Sequence, residues 1–463
     1  MFVRRRPTSR SRPLLLTVFG ALAVAGWGLL GCRDRGADPA VTGARPPDVL
    51  LLVIDTMRAD RLGALGYPKP TTPGLDALAA EGVLFRNAVA PATWTKPSMS
   101  ALFASRYPSE LGLAGTDTSE LDKATSVLPE SVELLAERFS RGGYRTAAVL
   151  QQVHLAPRWG FARGFDQYLR KQEWDAFGLN ARARKVLEEA DPRPLFLWVH
   201  YFDVHWPYVK QPARLPKDLF GPRELRMPAR TSMKEFVARM RERPEPDTVA
   251  RLANRYDAEV RYTDNAVAAL IEHLRASGRL DDTVVVVTAD HGEQFLEHGD
   301  FGHGNLPYDE EARVPLVVRA PERFGFRPGE RATPASLLDL GPTLAELAGL
   351  PADPQARGES LVQVLAGRER PDRVVVTQSD LAWAARGVRH KVLAFEDGRR
   401  EYYRLDEDPG ERRDLAAACD AACTALSRRL ADLREVLGRG ERPATGEPLT
   451  DAEIEELRSL GYL

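Results

Sequence analysis

The chain has 463 residues, 43% of them hydrophobic and 28% charged, with a formal net charge of −2. That length buries a large core and exceeds what one simple domain needs. A charge so close to balance excludes the electrostatic footprint of a nucleic-acid-binding protein.

The first 32 residues break this balance. Met1-Phe-Val-Arg-Arg-Arg gives a basic start, Leu14 to Leu30 an apolar run broken by glycines, and Leu29-Leu-Gly-Cys32 a small-residue site ending in cysteine. The segment resembles a bacterial lipoprotein signal in which Cys32 becomes the lipid-modified N-terminus. The other reading is an uncleaved anchor helix, short for a membrane span. Both place the rest of the chain outside the cytoplasm, on the cell envelope, periplasmic or on the outer surface. Residues 33–46, rich in Gly, Pro and charge, read as a flexible tether. With Cys32 given to lipid, Cys419 and Cys423 remain as a pair. In an oxidising compartment they form either a local disulfide or two idle thiols, because i, i+4 bridging strains a helix.

Asp48-Val-Leu-Leu-Leu-Val-Ile54 is a continuous apolar run suited to a strand covered on both faces. It ends at Asp55, and a carboxylate at the carboxyl end of a central strand stands where α/β folds place ligands. Thr72 to Gly82 reads as an amphipathic helix stopped by glycine, and Val83-Leu-Phe as a short strand. In Ala92-Thr-Trp-Thr-Lys-Pro-Ser-Met-Ser-Ala-Leu-Phe, Pro97 marks a first helical turn, so Thr95 sits at or just before a helix N-terminus. There the hydroxyl either caps the helix or faces an anion drawn by unpaired N–H groups and the dipole.

Ser131 to Gly143 is expected to be helical, Thr146 to Leu150 a strand, and Leu195-Phe-Leu-Trp-Val-His200 another buried strand leading into Asp203, His205 and two aromatics. Residues 209–250, charged and proline-interrupted, read as an insertion shaping substrate entry. Tyr256 to Arg275 is a long helix, and Thr283-Val-Val-Val-Val-Thr-Ala289 a core strand ending at Asp290-His291-Gly. After about residue 370, short strands at Val374-Val-Val-Thr, Lys391-Val-Leu-Ala-Phe and Glu401-Tyr-Tyr-Arg-Leu, with turns between them, precede a helix over 420–437. The alternation predicts an α/β fold: a doubly wound, mainly parallel sheet with helices on both faces, plus a small C-terminal antiparallel sheet with a helix. The expected divisions are a signal segment over 1–32, a tether over 33–46, a catalytic domain over 47–370 and a small α+β subdomain over 371–463.

Asp55, Thr95 and Asp290-His291 thus fall at strand ends or a helix start. Two carboxylates, an imidazole and a hydroxyl make a mostly oxygen site for one divalent cation, which lowers the hydroxyl's pKa and neutralises charge on a transferring group.

These motifs, in order, resemble the sulfatase family of the alkaline phosphatase superfamily over roughly residues 47–415. The resemblance rests on Val-Ile-Asp55-Thr-Met-Arg-Ala-Asp, Thr-Pro-Gly-Leu-Asp-Ala-Leu-Ala-Ala-Glu-Gly82, Thr95-Lys-Pro-Ser-Met-Ser-Ala-Leu-Phe and Asp203-Val-His205-Trp-Pro-Tyr. It continues with Ala-Asp290-His-Gly-Glu, Glu297-His-Gly-Asp-Phe-Gly-His303, Tyr308-Asp-Glu-Glu-Ala-Arg-Val-Pro315 and the late Tyr-Arg-Leu405-Asp-Glu-Asp-Pro-Gly-Glu; the ending Leu457 to Leu463 is similar to tails of sulfatase-like hydrolases. It implies that Asp55, Asp290, His291 and Thr95 hold the metal, and that Thr95 is at the nucleophile position. It further implies that His205 contacts the substrate or protonates the leaving group, and that His303 touches the anionic oxygens. Lys96, His154 and Asp203 stand as candidate substrate contacts.

The sequence departs from sulfatases proper at the nucleophile. These carry Cys or Ser there, oxidised to formylglycine; threonine, with its β-methyl, cannot give that aldehyde, and Met99 replaces the expected Arg. Gln152 stands where relatives carry Lys. The expectation is a metal-dependent hydrolase of a sulfate- or phosphate-type ester acting through a metal-bound Thr. The alternatives are a phospho-group transferase acting on an envelope glycan or lipid, and an inactive binding lipoprotein. His298 and His303 do not reproduce the spacing of two-zinc relatives, so one ion is expected, calcium, manganese, zinc or magnesium. The expected partners are an anionic ester, a glycan or lipid head group among its sources, and a membrane reached through the lipid anchor.

Overall fold

The apolar runs of the sequence become one eight-stranded sheet in the computed structural model, which describes residues 45–113, 125–208, 219–223, 233–243 and 245–437, with 215, 446, 449–451, 454 and 457. The signal segment with Cys32, the tether to residue 44, most of 209–232 and residues 458–463 lie outside the described residues.

The strands of the sheet are β1 (Asp48–Ile54), β2 (Val83–Phe85), β3 (Arg145–Leu150), β4 (Gln167–Arg170), β5 (Leu195–Tyr201), β6 (Thr283–Ala289), β7 (Leu316–Arg319) and β8 (Gly329–Arg331). Their spatial order is β8-β2-β7-β6-β1-β5-β3-β4. β1 runs parallel to both its neighbours, β5 and β6, and β7 runs antiparallel to both of its own, β2 and β6. Every residue of β1, β5 and β6 is buried, as expected where helices cover both faces of a parallel sheet. Each Val or Leu so buried stabilises the fold by roughly 1.5–3 kcal/mol relative to exposure.

Two sets of helices supply the cover. On one face, α2 (Thr95–Ala104) and α3 (Leu135–Arg141) send Phe103 and Phe139 against Trp198 and Phe196 of β5, at ring separations of 4.6 and 4.3 Å. On the other, α4 (Ala176–Glu188) packs on α6 (Pro246–Ala276), and Tyr201 donates to Asn180 Oδ1 of α4 at 2.7 Å. Successive side chains of β5 therefore point to opposite helix layers, as the two-residue period of a strand requires.

Element limits differ from the sequence reading in several places, and β4, β7, β8 and α4 were not expected from it. The helix expected over 131–143 begins only at Leu135, because Glu137 reaches back to accept the Leu134 N–H at 2.8 Å and closes the helix start there. The helix expected over 256–275 starts ten residues earlier, with Pro246 in its first turn. It takes residues 246–250 from the expected insertion, within which Met233–Glu242 is also helical. A strand at Ala382–Arg386, with three alanines and little intrinsic β preference, was not expected. It is held by antiparallel pairing on both sides in a four-stranded sheet with Val375–Gln378, His390–Phe395 and Arg400–Arg404.

The closing helix runs over Ala421–Leu437. Cys419 lies before it and bonds Cys423 inside it, with Cα atoms 5.3 Å apart. One partner being outside the helix removes the strain of an i, i+4 bridge within one. This sheet and the central sheet belong to one compact unit, Gly43–Leu463. A buried ionic cluster joins them: Asp309 meets Arg386 at 3.0 Å and Lys391 at 2.8 Å, and Lys391 meets Glu411 at 2.8 Å. Among the described residues no helix is long and apolar enough to cross a membrane.

Candidate active site

Asp55 and Asp290 follow the last residues of adjacent parallel strands β1 and β6, whose register pairs Ile54 with Ala289. Both carboxylates are wholly buried at the carboxyl end of the sheet, and each is pinned by one oxygen only. Asp55 Oδ2 accepts from Gln152 Nε2 at 3.0 Å. Asp290 Oδ1 accepts the backbone N–H groups of Thr56 and His291, at 3.2 and 2.9 Å. Asp55 Oδ1 and Asp290 Oδ2 have no hydrogen-bond partner.

Two like charges buried together cannot both stay ionised without a cation. Burial and the Asp290 charge push Asp55 well up. Burial works the same way on Asp290, but His291 and His200 outweigh it and hold that carboxyl near 2. Unpartnered carboxylate oxygens in so polar a pocket fit a divalent ion.

His291 and Thr95 close in on the same oxygens. His291 Nδ1 donates to Gly292 O at 2.9 Å, which fixes the tautomer and leaves Nε2 a lone pair. That Nε2 stands 3.7 Å from Asp55 Oδ1, 3.6 Å from Asp290 Oδ2 and 3.3 Å from Thr95 Oγ1. Thr95 is the first residue of α2 and completely buried. The helix is docked on β6 by Ser98, whose hydroxyl donates to Asp290 O at 2.5 Å. The hydroxyl singled out in the sequence therefore lies beside the imidazole and both carboxylates.

His205 and His303 form the opposite wall. Their rings are 4.9 Å apart, and His303 is 4.5 Å from the ring of His291. His205 Nδ1 donates to Trp206 O at 2.7 Å, so its Nε2 is unprotonated in the neutral ring. His303 Nδ1 bonds Glu293 Oε1 at 2.8 Å, and Tyr208 donates to Glu293 Oε2 at 2.8 Å. Burial is the leading cause that holds His205 near pKa 3 and His291 and His303 near 4, while it pushes Glu293 up to about 7. All three imidazoles are neutral at pH 7.

The remaining candidates occupy distinct places. Lys96 is 1% exposed and lies 4.2 Å from the centre of the Trp159 ring; burial, then Arg158, hold its pKa well below the usual lysine range. His154 is buried, edge-on to Trp94 at 5.6 Å. Asp203 is buried and, after burial itself, its charge is what raises the Tyr201 hydroxyl's pKa, so it acts on the side chain that bonds Asn180.

Four residues had no assigned part in the sequence reading. Gln152, noted there for a lost charge, instead anchors Asp55. Glu293 belongs to the quoted Asp-His-Gly-Glu run but shows its use only once His303 folds back onto it. His200 is a polar residue in an apolar strand, and its parity puts it on the Asp55 face. Thr56 has φ +56°, rare for a β-branched residue. Its N–H to Asp290 and its carbonyl, which accepts from Tyr256 Oη at 2.8 Å, hold that conformation from both sides.

A family model described as Sulfatase matches residues 47–350. The choline-sulfatase of Rhizobium meliloti is 26% identical over 431 residues, 80% of this chain and 80% of that protein. The ulvan-active sulfatase of Formosa agariphila is 26% identical over 372 residues, 73% of this chain and 68% of that protein. The phosphonate monoester hydrolase of Agrobacterium radiobacter has a similar structure, with a TM-score of 0.68 at 21% identity over 87% of this chain and 100% of that one. A 2-O GAG sulfatase matches with a TM-score of 0.69 at 20% identity over 89% and 100%. At such identities the structural matches speak for the fold.

Proposed function

The chain belongs to the sulfatase family and is an ester hydrolase, and from that premise we propose that it cleaves a phosphate- or sulfate-type ester with Thr95 itself as the nucleophile. The observation that carries the reading is the approach of Thr95 Oγ1 to within 3.3 Å of His291 Nε2, beside two carboxylate oxygens without partners. Asp55, Asp290, His291 and Thr95 would hold a divalent cation, which supplies a lower hydroxyl pKa and charge neutralisation.

With its proton lost to solvent, the Thr95 oxygen attacks phosphorus or sulfur in line, and the bond to the leaving alcohol breaks. His205, protonated as the anionic ester arrives, gives its Nε2 proton to the departing oxygen. Its neutral ring then takes a proton from the water that releases the Thr95 ester. His303, fixed by Glu293, faces the same space and orients the anionic oxygens.

Threonine cannot become the formylglycine that sulfatases proper use, and a threonine sulfate has no hemiacetal route of release. A phosphoric or phosphonic ester of threonine hydrolyses directly, which favours phosphate diesters or phosphonate monoesters over sulfates. The solved phosphonate monoester hydrolase shares the fold, and the sulfatase relatives keep sulfate esters in the test. Purified protein assayed with aryl sulfates, phosphate monoesters, phosphate diesters and phosphonate monoesters, before and after chelation, tests the reading. A chelation-sensitive rate highest on diesters or phosphonates supports it, and a rate unaffected by chelation and by Thr95→Ala contradicts it.

The Cys419–Cys423 disulfide suits an oxidising compartment. It supports a place outside the cytoplasm; the Leu29-Leu-Gly-Cys32 run supports a lipid anchor on the envelope, and the ulvan-active relative supports an anionic glycan ester as substrate. Loss of labelled-lipid incorporation in Cys32→Ser is the expected result; unchanged labelling contradicts the anchor.

A further inference from the structure

A second imidazole reaches the two carboxylates from below. In the parallel register of the central sheet, His200 pairs with Val53, and Val53 pairs with Thr288. Asp55 and Asp290 follow those two residues by two positions, so the strand period puts their side chains on the same face as His200, one row higher. His200 is wholly buried, and neither of its ring nitrogens has a hydrogen-bond partner. Its Nε2 is 3.6 Å from Asp290 Oδ2, beyond hydrogen-bond reach. Ligand atoms of Asp55, His200 and Asp290 all lie within 4.8 Å of one another.

Leaving a polar group buried without a partner destabilises the fold. His205, His291 and His303 avoid this by bonding Nδ1 to a carbonyl or carboxylate. The Trp198 ring lies edge-on to His200 at 5.9 Å and satisfies neither nitrogen. The oxygens it approaches are the pair Asp55 and Asp290 leave open.

We propose that His200 is a metal ligand, its Nε2 binding the ion held between Asp55 and Asp290, so that the centre carries two imidazoles. The proposal rests on the reading that those carboxylates hold a divalent ion. Ligands ~2.1 Å from one ion and ~90–120° apart lie ~3.0–3.6 Å from one another. The contacts Thr95 Oγ1–His291 Nε2 at 3.3 Å, His291 Nε2–Asp290 Oδ2 at 3.6 Å and His200 Nε2–Asp290 Oδ2 at 3.6 Å have that spacing, and His291 Nε2–Asp55 Oδ1 at 3.7 Å is close to it. A second nitrogen donor changes which ion is preferred. Calcium and magnesium favour all-oxygen shells, whereas imidazole suits zinc and its d-block neighbours. The centre therefore selects a zinc-class ion over calcium or magnesium.

The full-length protein, stripped and reloaded with copper(II), gives a pulsed EPR signal that counts coordinated imidazoles without substrate. The expected count is two in the wild type, one in His200→Gln and still two in His303→Gln, with zinc affinity falling at least ~10-fold in His200→Gln while calcium affinity changes little. Should His200→Gln fail to fold, His200→Asn serves, and a wild-type count of one is already decisive. Stoichiometric copper with one imidazole overturns the proposal and leaves the Asp55–Asp290 site standing. A wild type that binds neither copper, zinc nor calcium overturns both.

Discussion

Thr95 Oγ1 lies 3.3 Å from His291 Nε2, although 196 residues separate them in the chain. Their meeting joins the start of α2 to the end of β6. In the proposed reaction Thr95 is the nucleophile, and a methyl group cannot take its place. Thr95→Ala is expected to lower kcat by ~10³-fold or more on any aryl ester the enzyme turns over, with Tm and ion stoichiometry preserved. Thr95→Ser, which keeps the oxygen, is expected to retain far more of the rate. Steady-state kinetics beside calorimetry and metal analysis check both.

Gln152 holds Asp55 Oδ2 and so aims Oδ1 at the ion position. Outer-shell partners of metal ligands typically govern affinity by 10–100-fold. Gln152→Ala is expected to weaken divalent-ion binding by about that factor, read by titration, with kcat recovering at saturating metal. Unchanged affinity would show that Asp55 needs no such support.

His205 separates leaving-group chemistry from binding. Its ring is neutral in the free enzyme, held there chiefly by burial, and in the proposed reaction it gains its proton with the anionic ester bound. His205→Gln should therefore cost ~10²–10⁴-fold on esters of poorly acidic alcohols and much less on nitrophenyl esters, whose leaving groups need no proton. Equal losses across a leaving-group series would assign the residue to binding.

The same burial makes stability depend on pH. His205, His291 and His303 titrate near 3, 4 and 4 in the folded chain, against about 6.5 when unfolded. Between about pH 4 and 6.5 each of these rings binds more protons unfolded than folded, so its own contribution to stability rises with pH, while Glu293, pushed up to about 7, binds more protons folded and opposes it. Each of these histidines adds about 1.4 kcal/mol per pH unit in that window. Denaturant unfolding of the wild type and of His303→Gln from pH 7 down to 5 isolates one ring: the wild-type stability minus that of the variant should fall as pH falls, and a difference independent of pH would show that His303 does not titrate so low.

How much of this was legible in the sequence follows from where the information is local. The runs Asp48–Ile54 and Thr283–Ala289 announce strands buried on both faces, and a carboxylate after each announces a ligand site at their ends. Pro97 likewise announces the start of α2. What could not be read depends on pairing between distant segments. Gln152 looked like a lost charge because only the fold brings its amide to Asp55. His200 looked like one more residue of an apolar strand until the register set it under Asp290. The strand at Ala382–Arg386 has no pattern of its own and exists through its two neighbours.

The central claim is that the Thr95 oxygen becomes bonded to the substrate's phosphorus or sulfur during turnover. Rapid acid quench of the enzyme with an aryl phosphate diester or phosphonate monoester, followed by peptide mass spectrometry, tests it most directly. The account predicts an adduct of the transferred group mapped to Thr95 and missing from Thr95→Ala. Steady turnover in that variant, or an adduct located on any other residue, would contradict it.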